Sequence, residues 1–255
     1  MARTVQLRAL CALAAAAALT ACGTEDAADP LAPSGPTGRV RLVNVINDAG
    51  RDVVNATLSG QPFAAGLVYL GATPNDLPAP ATAPYSPVYA GDRPIVLKRT
   101  ADTTVTVATF PLTITAGEDR TIYATGGAGG SAITAFVTLD DNQAPPAGQA
   151  RLRVVHLSPA AGAVDVFVTA ANADLAAATP AVAGVTVRGV STYLSLPAAT
   201  YRVRVVPAGT APAGRAAAVA LDTSFALPVG AGRTYIAGDA RAGGRPLRQR
   251  VLVDR

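Results

Sequence analysis

Short stretches in which apolar and polar residues alternate recur along the chain. In Arg39–Asn44, Val40, Leu42 and Asn44 fall on one face and Arg39 and Arg41 on the other. Val164, Val166 and Val168 alternate with Asp165 and Phe167, and Tyr201, Val203 and Val205 alternate with Arg202 and Arg204. A period of two that gathers apolar side chains on one face is the mark of a strand in an antiparallel sheet. Near the C-terminus Leu247, Val251 and Val253 take the inward phase, which turns Arg248 and Arg250 to solvent. Clusters of Gly, Pro, Asn and Asp interrupt the strands at short spacing, as all-β sandwiches require. One helix-like stretch, 172–178, lies next to Pro180 and is limited to two turns.

The pattern occurs twice. Arg39-Val-Arg-Leu-Val-Asn44 returns as Arg151-Leu-Arg-Val-Val-His156, and Arg120-Thr-Ile-Tyr-Ala124 returns as Arg233-Thr-Tyr-Ile-Ala237. Ala128-Gly-Gly130, leading to Val137-Thr-Leu-Asp140, returns as Ala242-Gly-Gly244, leading to Val251-Leu-Val-Asp254. The spacing between partners hardly drifts from one pair to the next, so the chain carries two versions of one unit. The predicted fold class is all-β: two tandem antiparallel, immunoglobulin-like β-sandwich domains at 39–141 and 150–255. A polar Pro/Gly linker, 142–149, joins them.

The first residues follow a different logic. Residues 1–8 form a short segment whose only charges are Arg3 and Arg8, and residues 9–19 are uninterruptedly apolar. Eleven residues are too few for a bilayer, which needs about 20, and they match the core of a secretory leader. Leu19-Thr20-Ala21-Cys22 then resembles the lipobox of bacterial lipoproteins. The resemblance implies a signal peptide at 1–21, cleavage before Cys22 and acylation of Cys22, which attaches the chain to a membrane. Two or three acyl chains hold firmly where one holds marginally, at about 0.8 kcal/mol per buried CH₂. Gly23 in place of Asp favours the outer membrane in a Gram-negative envelope, by resemblance to its sorting rules. Residues 22–38, polar and Pro-rich, read as a flexible tether. Cys11 leaves with the leader, so the mature chain has one cysteine and no internal disulfide.

A second resemblance rests on the later repeat. Arg151-Leu-Arg-Val-Val-His156-Leu-Ser-Pro159, Val164-Asp-Val-Phe-Val168 and Tyr193-Leu-Ser-Leu-Pro-Ala198 resemble domain-of-unknown-function family 4397. The first repeat departs from it, with Asn44 in place of His and a Pro-rich insert at 73–87. The resemblance implies sandwich-like domains of secreted or lipid-anchored envelope proteins and brings no catalytic residues with it.

Composition adds a constraint on the core. Half of the residues are hydrophobic, yet Trp is absent and Phe numbers five, so the cores are of Val, Ala and Leu. Charge is lopsided: residues 22–146 carry 7 basic and 12 acidic side chains, and 147–255 carry 12 and 5. Such a split bears on partners rather than on fold. In the second repeat Arg151, Arg153, Arg202, Arg204, Arg248 and Arg250 take outward strand positions. Arg245, Arg248 and Arg250 are candidates for contact with an anionic envelope lipid or polymer. Nucleic acid is not an expected partner, since interleaved aromatics are lacking.

Candidate chemistry is sparse, and no cofactor, metal or catalytic residue is expected. His156 is the chain's single histidine and lies in phase with Leu152 and Val154, where it can close a core by bonding to the next loop. Asp140-Asp141-Asn142 lacks the alternating spacing of a calcium loop and reads as a solvated linker. Gly126–Gly130 is followed by no Lys-Ser/Thr and reads as a hairpin turn. The serines form no G-x-S-x-G elbow. The expectation is a non-enzymatic envelope protein for adhesion, scaffolding or binding of a protein partner. A carbohydrate-binding or sensory accessory protein is the alternative, and an envelope hydrolase a weaker one.

Overall fold

Val, Ile, Leu and Thr, whose side chains suit a pleated surface, build eighteen strands in a computed structural model that describes residues 35–77 and 83–255. The expected signal peptide, Cys22 and most of the expected tether lie outside the described residues, as does part of the Pro-rich insert. The first half contains β1 (Thr37–Ile46), β2 (Val54–Leu58), β3 (Gln61–Leu67), β4 (Ser86–Tyr89), β5 (Gly91–Asp92), β6 (Ile95–Arg99), β7 (Asp102–Phe110), β8 (Thr113–Ile114), β9 (Asp119–Gly126) and β10 (Thr134–Leu139). The second contains β11 (Gln149–Leu157), β12 (Val164–Thr169), β13 (Val182–Val185), β14 (Leu194–Pro197), β15 (Ala199–Pro207), β16 (Leu221–Leu227), β17 (Gly232–Gly238) and β18 (Arg248–Val253).

The two halves repeat one topology. Strands run β10-β9-β1-β4 in one sheet of the first half and β18-β17-β11-β14 in its counterpart. The companion sheets run β3-β2-β6-β7 and β13-β12-β15-β16. A small β5–β8 pair occurs in the first half. The antiparallel expectation needs one amendment per half: β1 pairs with β9, and β11 with β17, in parallel. A parallel neighbour requires a long crossover, and here the rest of each sandwich supplies it.

Each sandwich closes on its own core. Val40, Leu42 and Ile46 of β1 meet Ile122 and Ala124 of β9 and the strands of the companion sheet. Ala150, Leu152 and Val154 of β11 do the same with Tyr235 and Ala237 of β17 and with Val164, Val166, Val203 and Val205. The opposite faces of β1 and β11 are buried too. Val43, Val45 and Tyr123 from the first half pack against Val155, Leu157, Ile236 and Leu252 from the second. The β1 and β11 sheets are therefore the inner layers of a four-sheet stack, and residues 35–255 form one compact unit.

That stacking corrects several expectations about outward-facing positions. Arg41 and Arg153 keep the predicted phase, but the second face is the other half rather than water, and they are 1% and 2% exposed. Arg204 is also buried, with its guanidinium on the Thr169 hydroxyl and the Ala173 carbonyl, both 2.9 Å away. On β18 it is Leu252 that turns into the seam, while Val253 is exposed. Phe167 is buried against Leu175 and Val206 on the outer face of its sheet. Residues 172–178 form turns and no helix. The Asp174 carboxylate accepts from the Ala176 amide at 2.9 Å, a local bond that competes with helix, and the stretch is too short to nucleate one.

Candidate functional site

The seam between the halves is built on four buried charges. Arg41 and Arg153 come from equivalent positions of β1 and β11; Asp140 and Asp254 follow the last strand of each half. Arg41 donates to Asp254 of the other half at 2.8 Å, and Arg153 makes a 2.8 Å ion pair with Asp140 of the other half. Each arginine also donates to a threonine on the strand beside it, Arg41 to Thr121 and Arg153 to Thr234. Those threonines donate in turn to Asp140 and Asp254. Tyrosine rings cover the guanidinium groups, Tyr85 at 4.5 Å from Arg41 and Tyr193 at 4.8 Å from Arg153. The phenols donate to the same carboxylates, Tyr85 to Asp140 at 2.8 Å and Tyr193 to Asp254 at 3.2 Å.

The electrostatics are those of a closed neutral quartet. Burial disfavours the charged form of Arg41, but Asp254 and its neighbours outweigh it and raise the pKa above the ordinary value. Arg153 follows the same balance, with Tyr123 and Asp140 opposing the desolvation. Burial pushes the Tyr123 phenol up to about 12, so it stays neutral, and its hydroxyl has no hydrogen-bond partner among the described residues. Breaking one pair in such a site strands a buried charge, which costs far more than the pair itself contributes.

Equivalent loops cross the seam on either side of this quartet. In both, the chain turns back on the inner sheet through a residue of positive φ, Leu70 at 60° and Arg188 at 64°. Val43 bridges to Ala72 as Val155 does to Val190, and Thr73 and Ser191 each accept from a β1 or β11 amide at 2.9 Å. The residue before the positive φ differs. On one flank it is Tyr69, whose hydroxyl donates to the Asp239 carbonyl at 2.6 Å. That carbonyl is free because the residue equivalent to Asn47 is Pro159, which has no N–H; the Asn47 amide bonds the equivalent carbonyl, that of Gly126, at 3.0 Å. Gly238 makes room, since a Cβ there would lie 3.1 Å from the Tyr69 hydroxyl.

On the other flank the residue is Val187, and the seam is open. A cleft of about 260 Å³ is lined by Val45, Leu157, Pro159 and Val187, with polar groups from Asn47, Thr125 and Ser131. Arg188 stands at its rim and donates to the hydroxyls of Thr125 and Thr134. It has no carboxylate within ion-pair distance among the described residues.

The residues singled out from the sequence fall in distinct places. His156 is buried, and its Nε2 donates to the Gly162 carbonyl at 2.7 Å, so it closes the second core. Its mate Asn44 closes the first, donating to the Asp52 and Leu67 carbonyls at 2.7 and 2.9 Å. Asp140 is not part of a solvated linker but of the quartet, while exposed Asp141 pairs with Arg151 at 2.6 Å. Gly126–Gly130 forms the turn between β9 and β10 and borders the cleft. Arg245 and Arg248 are exposed; Arg250 is half-buried and donates twice to Asp76 of the first half, at 2.7 and 2.9 Å. No group of acidic, His or Cys side chains able to hold a metal occurs among the described residues.

The fold and seam define a class: an all-β protein of stacked sandwiches with a charged centre. Against known families, the model for Domain of unknown function (DUF4397) matches residues 38–167, which takes in nearly all of the first half and the start of the second, so the match falls mainly on the repeat that was expected to depart from the family. The protein belongs to this family. No curated protein matches the chain. Solved structures with similarity include a leucine-rich repeat protein from Bacteroides thetaiotaomicron, at 15% identity and a TM-score of 0.18, covering 81% of this chain and 26% of that one. Another is a candidate cell adhesion protein from Bacteroides uniformis, at 9% identity and a TM-score of 0.24, covering 86% of this chain and 98% of that one. The chain thus spans about a quarter of the first of these.

Proposed function

We propose that the protein is a non-enzymatic, lipid-anchored module of the bacterial cell envelope that presents two copies of the family domain as one rigid block for adhesion, scaffolding or binding of a partner. The observation that carries this reading is the use made of its charged residues. Side chains that could do chemistry on the inner strands are locked in a neutral quartet that joins the halves, and what stays free is surface, including the cleft beside Val187. The lipobox-like Leu19-Thr20-Ala21-Cys22 supplies the anchor, and Gly23 directs it to the outer membrane of a Gram-negative cell. Metabolic labelling with a clickable fatty acid tests the attachment. Wild-type chain takes up label and fractionates with membranes, and Cys22→Ala loses both. Equal labelling of the two refutes the anchor, and crosslinking in intact envelopes that captures no partner refutes the binding role.

A further inference from the structure

From the unequal flanks of the seam we infer that the open cleft is a binding site for a tyrosine side chain of a partner polypeptide with a carboxylate beside it. The occupied flank defines the ligand. There, a polypeptide tyrosine fills the space between the halves, its ring on the seam and its hydroxyl on a backbone carbonyl. The open flank repeats the backbone turn, down to the positive φ of Arg188, but carries Val187 where the other carries Tyr69 and Thr125 where the other carries Gly238. Its Gly126 carbonyl is taken by the Asn47 amide, so a phenol there must turn to side-chain hydroxyls. About 260 Å³ is below the roughly 300–1,000 Å³ of drug-sized pockets, so the cleft suits a side chain and not a cofactor. Its apolar walls are Val45, Leu157 and Pro159, and the hydroxyls of Thr125 and Ser131 offer a phenol its hydrogen bond. Buried tyrosines generally find such a partner.

Arg188 supplies the second half of the recognition. Its mate Leu70 is part of the apolar seam, whereas Arg188 is a solvent-facing guanidinium held by two threonine hydroxyls. A guanidinium in that position can take a carboxylate bidentately. The ligand is therefore an acidic segment bearing tyrosine.

The inference rests on the partner-binding reading above and is tested apart from anchoring, on the full chain carrying Cys22→Ser to keep it in solution. In calorimetric titration N-acetyltyrosine binds with a dissociation constant in roughly the millimolar range, as its small size dictates. N-acetylphenylalanine and N-acetyltyrosinamide each bind several-fold more weakly. Arg188→Gln abolishes the difference between acid and amide. Val187→Tyr, which supplies the ring from within, and Ala132→Phe, at another residue that lines the cleft, both remove binding with an unchanged β-sheet circular dichroism spectrum. The peptide acetyl-Glu-Tyr-Glu-amide binds more tightly than N-acetyltyrosine. Absence of saturable binding, or binding that survives both cleft-filling variants, overturns the site. Equal binding of acid and amide overturns the role of Arg188. A peptide weaker than the single residue overturns the assignment to a polypeptide. Each of these failures leaves acylation of Cys22 and partner capture elsewhere on the surface untouched.

Discussion

The centre of the seam and its flanks have diverged to different extents. At the centre, Arg41 and Arg153, Thr121 and Thr234, Tyr85 and Tyr193, and Asp140 and Asp254 occupy matched positions with the same chemistry. At the flanks, Tyr69 faces Asp239 on one side while Val187 borders a cleft on the other. The energetics explain the contrast. Any single change in the quartet leaves a buried charge uncompensated, so its members can hardly change one at a time. A flank residue that shrinks loses only packing, and water or a ligand can take the space.

The largest expected effect lies at the centre. Arg41→Met strands Asp254 and should lower stability by about 3–5 kcal/mol in urea titration. Replacing all four charges with apolar residues of similar volume should recover most of that loss, because a neutral buried network is often no more stable than a packed apolar core. A single substitution that costs under about 1 kcal/mol would mean that water reaches the quartet. Because Arg41 links residues far apart in sequence, the loss should appear as earlier unfolding of both halves together.

The flanks should respond unequally to the same change. Tyr69→Ala removes a ring and a hydrogen bond from the closed side and should cost about 2–3 kcal/mol, somewhat below the usual range for a fully buried aromatic. Val187→Ala, already beside open space and 38% exposed, should cost no more than about 0.5 kcal/mol. Equal costs, read from urea midpoints at constant slope, would show that the open flank is closed in solution.

Much of the arrangement could be read from the chain. The strand phases of β1, β11, β12 and β15 and the duplication itself follow from alternation and repeated motifs. A charged residue on a strand need not face water. Arg41 and Arg153 sit in the phase read for them, but the second face of each inner sheet is covered by the other half. A signal for this was present. Both copies keep Arg at the same inner-strand position, Thr at the same position of the strand beside it, and Asp after the last strand, and surface residues need no such agreement. The cleft was not legible, because it depends on loop residues that match only when the backbone frames of Tyr69 and Val187 are superposed. The parallel pairing of β1 with β9 was equally hidden, since periodicity reports faces and not strand direction.

The smallest expected effect separates the polar residues that close the two cores. Asn44 does not titrate, and its amide nitrogen and oxygen are all used: Nδ2 donates to two carbonyls and Oδ1 accepts from the Ile46 amide at 3.1 Å. His156 donates from Nε2 to the Gly162 carbonyl, while Nδ1 is buried without a hydrogen-bond partner among the described residues. Protonating Nδ1 would place a charge and an unsatisfied donor in the core. Burial accordingly holds the pKa of His156 below the ordinary 6.5, against weaker opposing pulls from the Gly162 carbonyl and Asp239. The sign follows from linkage. Above about pH 6.5 the ring is neutral whether the chain is folded or not, and its contribution is full. Below that value the unfolded chain takes up a proton that the folded one refuses, so stability falls with pH until the folded pKa is passed. The slope cannot exceed about 1.4 kcal/mol per pH unit for a single group. No other histidine is present to confuse the window between pH 6.5 and 5. His156→Asn, which installs the residue of the first half, should cost about 1 kcal/mol at pH 7.5 through imperfect packing. It should also flatten the profile, so that the two proteins converge towards pH 5. Urea midpoints of both proteins at pH 7.5, 6.0 and 5.0 decide the matter. Parallel profiles would mean that His156 gains a partner or solvent access on protonation and that the two core plugs are interchangeable.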